Sequence, residues 1–213
     1  MTSRIPWVVG VSGASGTPYA KAVLNGLLDD GQPIDLIVSR AARLTLLDEV
    51  GFTLRDAHWQ ADVAQWLEHE ESELADIRYW SATDLAAGPA SGSYLTRGMI
   101  VVPASTAAVA GIAIGLSKDL LQRAADVNLK ERRPVVVVPR EAPYTRSTLQ
   151  HMLALHDAGA TVLPASPGFY STPKDIQQLV DFVAAKILDV VAVPHSLMTR
   201  WSGGLNFKDS SET

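Results

Sequence analysis

The first stretch that could bind a ligand is the small-residue run Gly13-Ala14-Ser15-Gly16, which directly follows the apolar residues 7–12. Small side chains let the backbone approach a ligand closely. Pro18 suits the first position of a helix that Thr17 would cap, and free N–H groups at a helix start attract phosphate. The glycine spacing G-x-x-G-x-x-G matches neither the dinucleotide fingerprint nor a P-loop. The run therefore predicts either a phosphate site or an ordinary strand-to-helix turn.

Hydroxyls, an arginine and a glutamate follow the later apolar segments in the same way. These residues are Ser39, Arg40, Ser105, Thr106, Arg140, Glu141 and residues 164–170. Each serine or threonine alone is more simply explained as a helix cap. Arg140 can hold a phosphate through its planar fork of donors, whereas Glu141 can transfer protons or pair with a cation. Because the carboxyl ends of parallel strands share one edge of a sheet, we expect these groups to converge there.

Residues 123–134 form the most basic segment of the chain. Arg123 and Lys130 lie seven residues apart, which is two helical turns, so they share one helix face. This spacing predicts a second anion pocket close to the strand that Arg140 follows. The alternative is a solvated charged face, on which Asp126 and Glu131 are the local partners.

Apolar segments alternate with helical patterns along the whole chain, which predicts a single α/β domain over residues 1–213 with an extended tail from about residue 192. The strands are predicted at residues 7–12, 34–38, 99–102, 134–138 and 161–163, and the helices at residues 40–50, 105–125, 149–158 and 176–191, with one more beginning at Pro18. Residues 51–83 are interpreted as an insertion or peripheral helix without a chemical signature. Nearly continuous apolar strands indicate a mostly parallel sheet that is covered on both faces.

The composition excludes several classes of function. A net charge of −5 argues against a general affinity for nucleic acid. The chain has no cysteine, and its five histidines lack the spacing of metal ligands, so we expect no metal site. No apolar run approaches the roughly 20 residues of a membrane span, and the N-terminus lacks a signal peptide, so a cytoplasmic location is expected. Trp201, in a polar tail, anchors that tail or caps a site on a neighbouring subunit.

Several stretches of the chain together resemble the flavin prenyltransferase (UbiX-like) family. The resemblance runs from Val8 to Trp201 and is weakest over residues 51–80. Its most specific part is L-K-E-R-R-P-x-V-x-V-x-R-E at residues 129–141. The other matching stretches are Gly13-Ala14-Ser15-Gly16, Ser39-Arg40-Ala41-Ala42, Ala90-Ser91-Gly92-Ser93, Arg123-Ala124-Ala125-Asp126, Pro167-Gly168-Phe169-Tyr170 and Arg200-Trp201.

The resemblance implies a fold, a reaction and an assembly. The fold is a flavodoxin-like, Rossmann-like three-layer sandwich, assembled as a homododecamer with FMN bound between subunits. The reaction moves a dimethylallyl group from dimethylallyl monophosphate to N5 and C6 of reduced FMN, without a metal. The product, prenylated FMN, then serves a partner decarboxylase of the UbiD type.

The resemblance also implies three groups of site residues. FMN would be held by Gly13, Ala14, Ser15, Ser39, Ser105, Thr106, Ala107, Ala108 and Arg140. The prenyl phosphate would be held by Lys130, Arg140, Tyr170 and Lys186, with Arg123 nearby. The catalytic residues would be Ser15, Glu49, Lys130, Glu141 and Trp201. Position 186 departs from the arginine that is common in the family, which keeps the charge but gives up a bidentate phosphate contact.

Two other functions fit the same fold. A flavin-dependent cysteine decarboxylase would use a catalytic histidine and a Pro-Ala-Met-Asn segment, whereas residues 103–106 of this chain read Pro-Ala-Ser-Thr. A flavin-binding or storage protein without chemistry would need only one phosphate pocket. The basic residues Arg123, Lys130 and Arg140 argue against that second alternative.

Overall fold

The structure is a computed structural model that describes residues 5–200, so Trp201 lies outside the described residues. Six strands form one sheet: β1 Trp7–Val11, β2 Ile34–Val38, β3 Ile77–Ser81, β4 Gly98–Ala104, β5 Val135–Pro139 and β6 Thr161–Val162. All neighbouring strands pair in parallel, in the order β3-β2-β1-β4-β5-β6. This confirms the predicted parallel α/β architecture of the flavodoxin-like type.

Helices cover both faces of the sheet. They are α1 Thr17–Asp29, α2 Arg40–Val50, α3 Trp59–Leu67, α4 Thr106–Ala113, α5 Leu120–Lys130, α6 Arg146–Asp157 and α7 Ile176–Val190. One core lies between the sheet and α1, α2, α3 and α7, and the other lies under α4, α5 and α6. Val9 of β1 belongs to the first core and its neighbour Val8 to the second. Both side chains are fully buried, which explains why the central strands read as unbroken apolar runs.

The prediction for residues 51–83 was wrong in one respect, because this segment contributes the edge strand β3. Its residues pair with β2 in the register Ile34 to Ile77. Only Ile77 of the strand is buried, whereas Arg78 is exposed. An edge strand needs little apolar sequence, since one side of it faces solvent. The polar residues therefore concealed it from a search for apolar runs.

Residues 105–125 are mostly helical, as predicted, but they contain α4 and the first half of α5 with a break between them that was not predicted. Between α4 and α5 the backbone is left-handed at Gly115 (φ 64°) and at Ser117 (φ 49°), which interrupts the helix. Asp119 then caps α5 by accepting a hydrogen bond from the Gln122 N–H group at 2.9 Å. A capping side chain marks a new helix start even where the flanking residues favour a continuous helix.

Two predicted boundaries also moved. Strand β4 continues through Pro103 to Ala104 with a shift in register, although Pro103 was predicted to end it. Helix α6 begins at Arg146 and not at Leu149, because Thr145 caps it by accepting a hydrogen bond from Thr148 N–H at 3.1 Å.

The strand order reverses between β1 and β4 at the centre of the sheet. The chain leaves β1 towards β2 and leaves β4 towards β5, so the loops after β1 and β4 diverge. Parallel α/β sheets bind ligands in the crevice beyond the carboxyl ends of their strands at such a point. No helix within residues 5–200 has the length and apolar character needed to cross a bilayer.

Candidate functional site

The loops after β1 and β4 are joined by the buried hydroxyl of Ser12. This hydroxyl donates to the Pro103 carbonyl at 2.9 Å and accepts from the Ser105 N–H group at 2.7 Å. Ser12 is 2% exposed, so these bonds are shielded from water. The start of α4 is therefore fixed relative to the loop over residues 12–16. The sequence pattern offered Ser12 only as one more hydroxyl after a strand, and a contact 91 residues away leaves no local signal.

The small residues of the first loop are required by its close contact with α2. A Cβ atom at Gly13 would lie 2.4 Å from the Cβ of Ala41, in the first turn of α2. Gly16 has φ 114° and is the N-cap of α1. The prediction of Thr17 as the cap was wrong, because Thr17 is the first helical residue and is fully buried. Only glycine adopts the backbone angle at position 16 without strain.

Glu49, near the end of α2, reaches the start of α1. One carboxylate oxygen accepts from the Gly16 N–H group at 2.8 Å, and the other accepts from the Thr17 N–H group at 2.8 Å and the Thr17 hydroxyl at 2.6 Å. Burial alone would raise the pKa of Glu49, but hydrogen bonds from Ser15, Thr17 and Gly16 hold it below its usual range. The anion at this helix start is thus the carboxylate of Glu49, which suits the positive end of the helix dipole.

Arg140 connects three loops at the carboxyl edge of the sheet. Its backbone N–H donates to the Ala104 carbonyl at 3.2 Å, and its Nε donates to the Ser15 carbonyl at 3.0 Å. Burial raises the pKa of the neighbouring Tyr19, and the positive charge of Arg140 partly offsets this. Glu141 beside it is exposed and accepts from the Ala142 N–H group at 2.9 Å. The predicted convergence of the strand ends is therefore realised at residues 12–17, 103–106 and 140–141.

Ser39 and Ser105 are helix caps, which is the simpler of the two roles considered for them. Ser39 accepts from the Ala42 N–H group at 3.1 Å at the start of α2, and Ser105 accepts from the Ala108 N–H group at 3.2 Å at the start of α4. Ala107 in the first turn of α4 is exposed, whereas Ala108 is buried. A capped helix start still presents N–H groups of its first turn to an anion.

A planar, phosphorylated cofactor such as FMN fits the residues at this edge. Gly13 packs against α2, and Gly13 and Ala14 have no long side chain to cover the loop, while Ser15 is exposed. The guanidinium of Arg140 lies against the Ser15 carbonyl and supplies positive charge. The α4 start, with Ser105, Thr106, Ala107 and Ala108, supplies a second anion-binding element.

Helix α7 brings Tyr170 and Lys186 onto one side of the molecule. The Tyr170 ring packs edge-on against Phe182, with 5.6 Å between the ring centroids. Lys186 lies four residues after Phe182, so it follows on the same helix face. Its ammonium group is 3.5 Å from the carboxylate of Asp189.

Lys130 lies at the opposite edge of the sheet from Arg140, whereas Arg123 lies in the first turn of α5, two helical turns before Lys130. Helix α5 ends at Lys130, just before β5 begins, whereas Arg140 follows the end of β5. Five strand residues span about 17 Å. One protomer therefore does not bring Lys130 together with Arg140.

The partners of these two cations are local, as the charged-face alternative predicted. Arg123 donates to Asp126 at 2.8 Å and to the Ala90 carbonyl at 3.1 Å. Lys130 pairs with Glu131. A Cβ atom at Gly92 would lie 2.7 Å from the Lys130 nitrogen, so the loop over residues 91–93 closely borders this cluster.

A polar network on the outer side of α2 was not predicted from the sequence. The Tyr79 hydroxyl donates to Asp56 at 2.6 Å and accepts from Arg43 at 2.6 Å, while Arg43 also pairs with Asp56. Burial and the hydrogen bond to Asp56 raise the pKa of Tyr79 strongly. The network ties β3 to the helix that carries Glu49. Its members are 13 to 36 residues apart, so spacing alone did not reveal it.

Within residues 5–200, no group of three or more histidine, aspartate or glutamate side chains is arranged to hold a metal ion.

Comparison with known proteins finds matches over most of the chain. Residues 1–188 match the model of the Flavoprotein family. The chain is 59% identical over 209 residues to the flavin prenyltransferase UbiX of Streptomyces coelicolor, which covers 94% of this chain and 97% of that protein.

Two similar solved structures have informative descriptions. AnUbiX (PadA1) in complex with FMN and dimethylallyl pyrophosphate is 32% identical with a TM-score of 0.82, covering 95% of this chain and 100% of that chain. The dodecameric FMN-dependent UbiX-like decarboxylase of Escherichia coli O157:H7 is 36% identical with a TM-score of 0.80, covering 93% and 100%. The FMN-dependent cysteine decarboxylase TvaF is 14% identical with a TM-score of 0.55, covering 89% and 99%, so it shares the fold alone. Among these proteins, those of the UbiX type are similar to this chain in sequence as well as in fold.

Proposed function

The chain belongs to the UbiX family of flavin prenyltransferases, within the wider Flavoprotein family, and on that premise we propose its substrates, site and product. It transfers a dimethylallyl group from dimethylallyl monophosphate to N5 and C6 of reduced FMN. The product is prenylated FMN, which a decarboxylase of the UbiD type takes up as its cofactor. The observation that carries the proposal is the joining of the loops at residues 12–17, 103–106 and 140–141 into one anion-binding edge.

The carboxyl edge of the sheet is the FMN half of the site. Gly13, Ala14 and Ser15 border the flavin, and Arg140 together with the α4 start holds its phosphate. Ser39 and the residues from Ser105 to Ala108 complete this half. The hydrogen bonds of Ser12 and Arg140 support the assignment, because they hold the three loops in one arrangement before any ligand binds.

Reduced FMN supplies N5 and C6 as the atoms that accept the dimethylallyl group. The carbon–oxygen bond of the allylic phosphate breaks, and inorganic phosphate leaves. Negative charge grows on that phosphate in the transition state, so cations placed around it accelerate the step. Arg140 and Lys186 supply this charge, with Tyr170 as a hydrogen-bond donor. Lys186 precedes Leu188, which packs against Gly26 near the end of α1 and so away from the carboxyl edge, and a neighbouring subunit would therefore contribute it. Trp201, which lies outside the described residues, shields the allylic cation with its π face.

Arg123 and Lys130 reach the phosphate from a neighbouring subunit. The length of β5 separates Lys130 from Arg140 within one protomer, so a second copy would bring Lys130 there, together with Arg123 on the same helix face. The dodecameric relative from Escherichia coli supports an oligomer of this kind. Exposed apolar side chains on α2 and α6, which are Leu44, Leu47, Leu149 and Leu153, support it as well.

Proton transfer around N5 and the leaving phosphate falls to Glu49, Ser15 and Glu141. The lowered pKa of Glu49 keeps its carboxylate ionised at neutral pH, so it acts as a proton acceptor. Ser15, whose hydroxyl hydrogen-bonds to Glu49, provides the path between that carboxylate and the flavin. Glu141 lies in the open part of the same edge.

The test is an anaerobic incubation of the protein with reduced FMN and dimethylallyl monophosphate, followed by a mass spectrum of the released flavin. We expect the flavin mass to rise by one dimethylallyl unit. Parallel reactions with dimethylallyl diphosphate and without a prenyl donor identify the donor used. An unchanged flavin mass, in protein that retains FMN, would leave the non-catalytic flavin-binding alternative.

A further inference from the structure

Asp189, in the last turn of α7, joins three basic side chains. One carboxylate oxygen accepts from Arg200 at 2.8 Å and from the His195 Nε2 at 3.1 Å. The other oxygen lies 3.5 Å from the ammonium group of Lys186. The Asp189 side chain is only 22% exposed, whereas those of Lys186 and Arg200 are 47% and 63% exposed. A largely covered anion thus holds two outward-facing cations.

The segment that carries Arg200, residues 191–200, is itself anchored to the fold, and we call it the C-terminal strap. Val193 is 6% exposed and belongs to the core under α1 and α7. Leu197 packs over Gly26 of α1, where a Cβ atom would lie 3.7 Å from the leucine side chain. The strap therefore leads the chain back over α7 so that Arg200 meets Asp189.

His195 is a hydrogen-bond donor to Asp189 in this arrangement. Its Nδ1 atom accepts from the Leu197 N–H group at 3.4 Å, so the proton that reaches Asp189 is on Nε2. The side chain is 1% exposed, which fixes the ring in place. Arg200, opposed by burial and helped by His195, holds the pKa of Asp189 below its usual range. The exposed cations at Asp189 are those of Lys186 and Arg200.

We infer that Asp189 is a positioning residue, which holds Lys186 and Arg200 as a paired binding site for the phosphate of the allylic donor. The inference rests on the proposed function, since that assigns Lys186 to this phosphate. Lysine offers three N–H donors and arginine five, and one on each is directed at Asp189, so the others can reach a phosphate. Arg200 supplies the fork of parallel donors that a lysine at position 186 lacks.

The test uses the oligomeric protein loaded with oxidised FMN, which binds the donor without reacting. Calorimetry measures the affinity for dimethylallyl monophosphate in the wild type and in the Asp189→Asn variant. Asparagine keeps the shape and one acceptor oxygen but removes the charge that orders the two cations. We expect affinity to fall roughly fivefold, on the scale of one partly exposed ion pair. If Asp189 merely competed with the phosphate for the cations, affinity would rise, and the inference would be wrong.

Control variants separate positioning from folding. Asp181→Asn removes the same charge from α7 at a residue that accepts from Gln177, and we expect it to leave affinity unchanged. Arg200→Gln leaves the bond between His195 and Asp189 in place, and we expect it to lower affinity as Asp189→Asn does. In turnover assays, Asp189→Asn should raise KM for the donor with kcat within about twofold, and Asp189→Glu should partly restore KM.

The outcomes for the two proposals are distinct. A wild type that binds the donor but leaves the flavin unchanged overturns the proposed prenyl transfer, and a weaker affinity in both variants still supports the role of Asp189. A wild type that transfers the prenyl group, with equal affinity in Asp189→Asn and Arg200→Gln, overturns the role of Asp189 alone. A wild type that does not bind the donor overturns both.

Discussion

The two edges of the sheet carry their charged residues in different ways. At the carboxyl edge, Ser12, Glu49 and Arg140 bond to partners 32 to 125 residues away, and most of these partners are backbone groups. At the amino edge, Lys130 pairs with the side chain of the next residue, Glu131. The first set holds separate loops in one geometry, whereas the pair of Lys130 with Glu131 fixes only the conformation of its own helix end.

This difference indicates that the two edges of the sheet have different roles. An exposed ion pair such as Lys130 with Glu131 contributes little to stability, so Lys130 can turn to another anion at small cost. The buried hydroxyl of Ser12 and the bonded carboxylate of Glu49 cannot be redirected so easily. The carboxyl edge is therefore preorganised within one protomer, and Lys130 at the amino edge is available to bind an anion in a neighbouring subunit.

The largest expected effect tests whether the two edges meet in an oligomer. Lys130→Ala and Arg140→Ala should each lower prenyl transfer by about 10²–10³-fold, because each removes a cation from the leaving phosphate. Co-expressed with different affinity tags and purified as mixed oligomers, the two variants should regain a substantial part of the activity. Mixed oligomers of two differently tagged Lys130→Ala chains are the control. Recovery no greater than in that control would place both residues in one subunit.

The Glu49→Gln substitution tests whether the carboxyl edge contributes a proton acceptor to catalysis. We expect the variant to retain FMN but to turn over roughly 10²-fold more slowly, because the amide cannot accept a proton. FMN content measured by absorbance and the rate of flavin prenylation give the two values. Asp48→Asn, at the preceding exposed residue of α2, is the matched control. Wild-type rates in Glu49→Gln would remove Glu49 from the catalytic residues.

Substitutions at the two edges should also differ, by a smaller amount, in their effect on the free energy of unfolding. Ser12→Ala leaves the Ser105 N–H group and the Pro103 carbonyl without their buried partner, at a cost of about 1–3 kcal/mol. Lys130→Ala breaks an exposed ion pair and should cost clearly less than Ser12→Ala. Urea unfolding of the two variants measures the difference. Equal losses would mean that the amino edge is as firmly built into the fold as the carboxyl edge.

The smallest effect is the pH dependence that Glu49 contributes. Its folded pKa lies below its usual value of 4.5, so the folded state binds fewer protons than the unfolded state as the pH falls through that range. The stabilisation is therefore complete above the usual pKa and is lost as the pH falls through the folded pKa. The difference in unfolding free energy between wild type and Glu49→Gln should shrink from neutral pH to roughly pH 3. A constant difference would contradict a lowered pKa.

Much of the fold was predictable because its central strands are covered on both faces. Strand β2 and helix α2 lie where the apolar pattern predicted them. Strand β3 was missed, since a half-exposed edge strand such as residues 77–81 does not need an apolar sequence. The break between α4 and α5 was missed because left-handed backbone at Ser117 has no reliable sequence signal.

The amino-acid sequence alone determined the parallel architecture, the family and the groups that could do chemistry, since all three depend on local pattern and residue type. Tertiary structure alone decided which groups meet. Folding placed the Glu49 carboxylate at the start of α1, linked Lys186 to Arg200 through Asp189, and separated Lys130 from Arg140 by the length of a strand. The physical reason is that hydrogen bonds and charges act over a few ångströms in space, and a distance of that size between residues far apart in the chain exists only after folding.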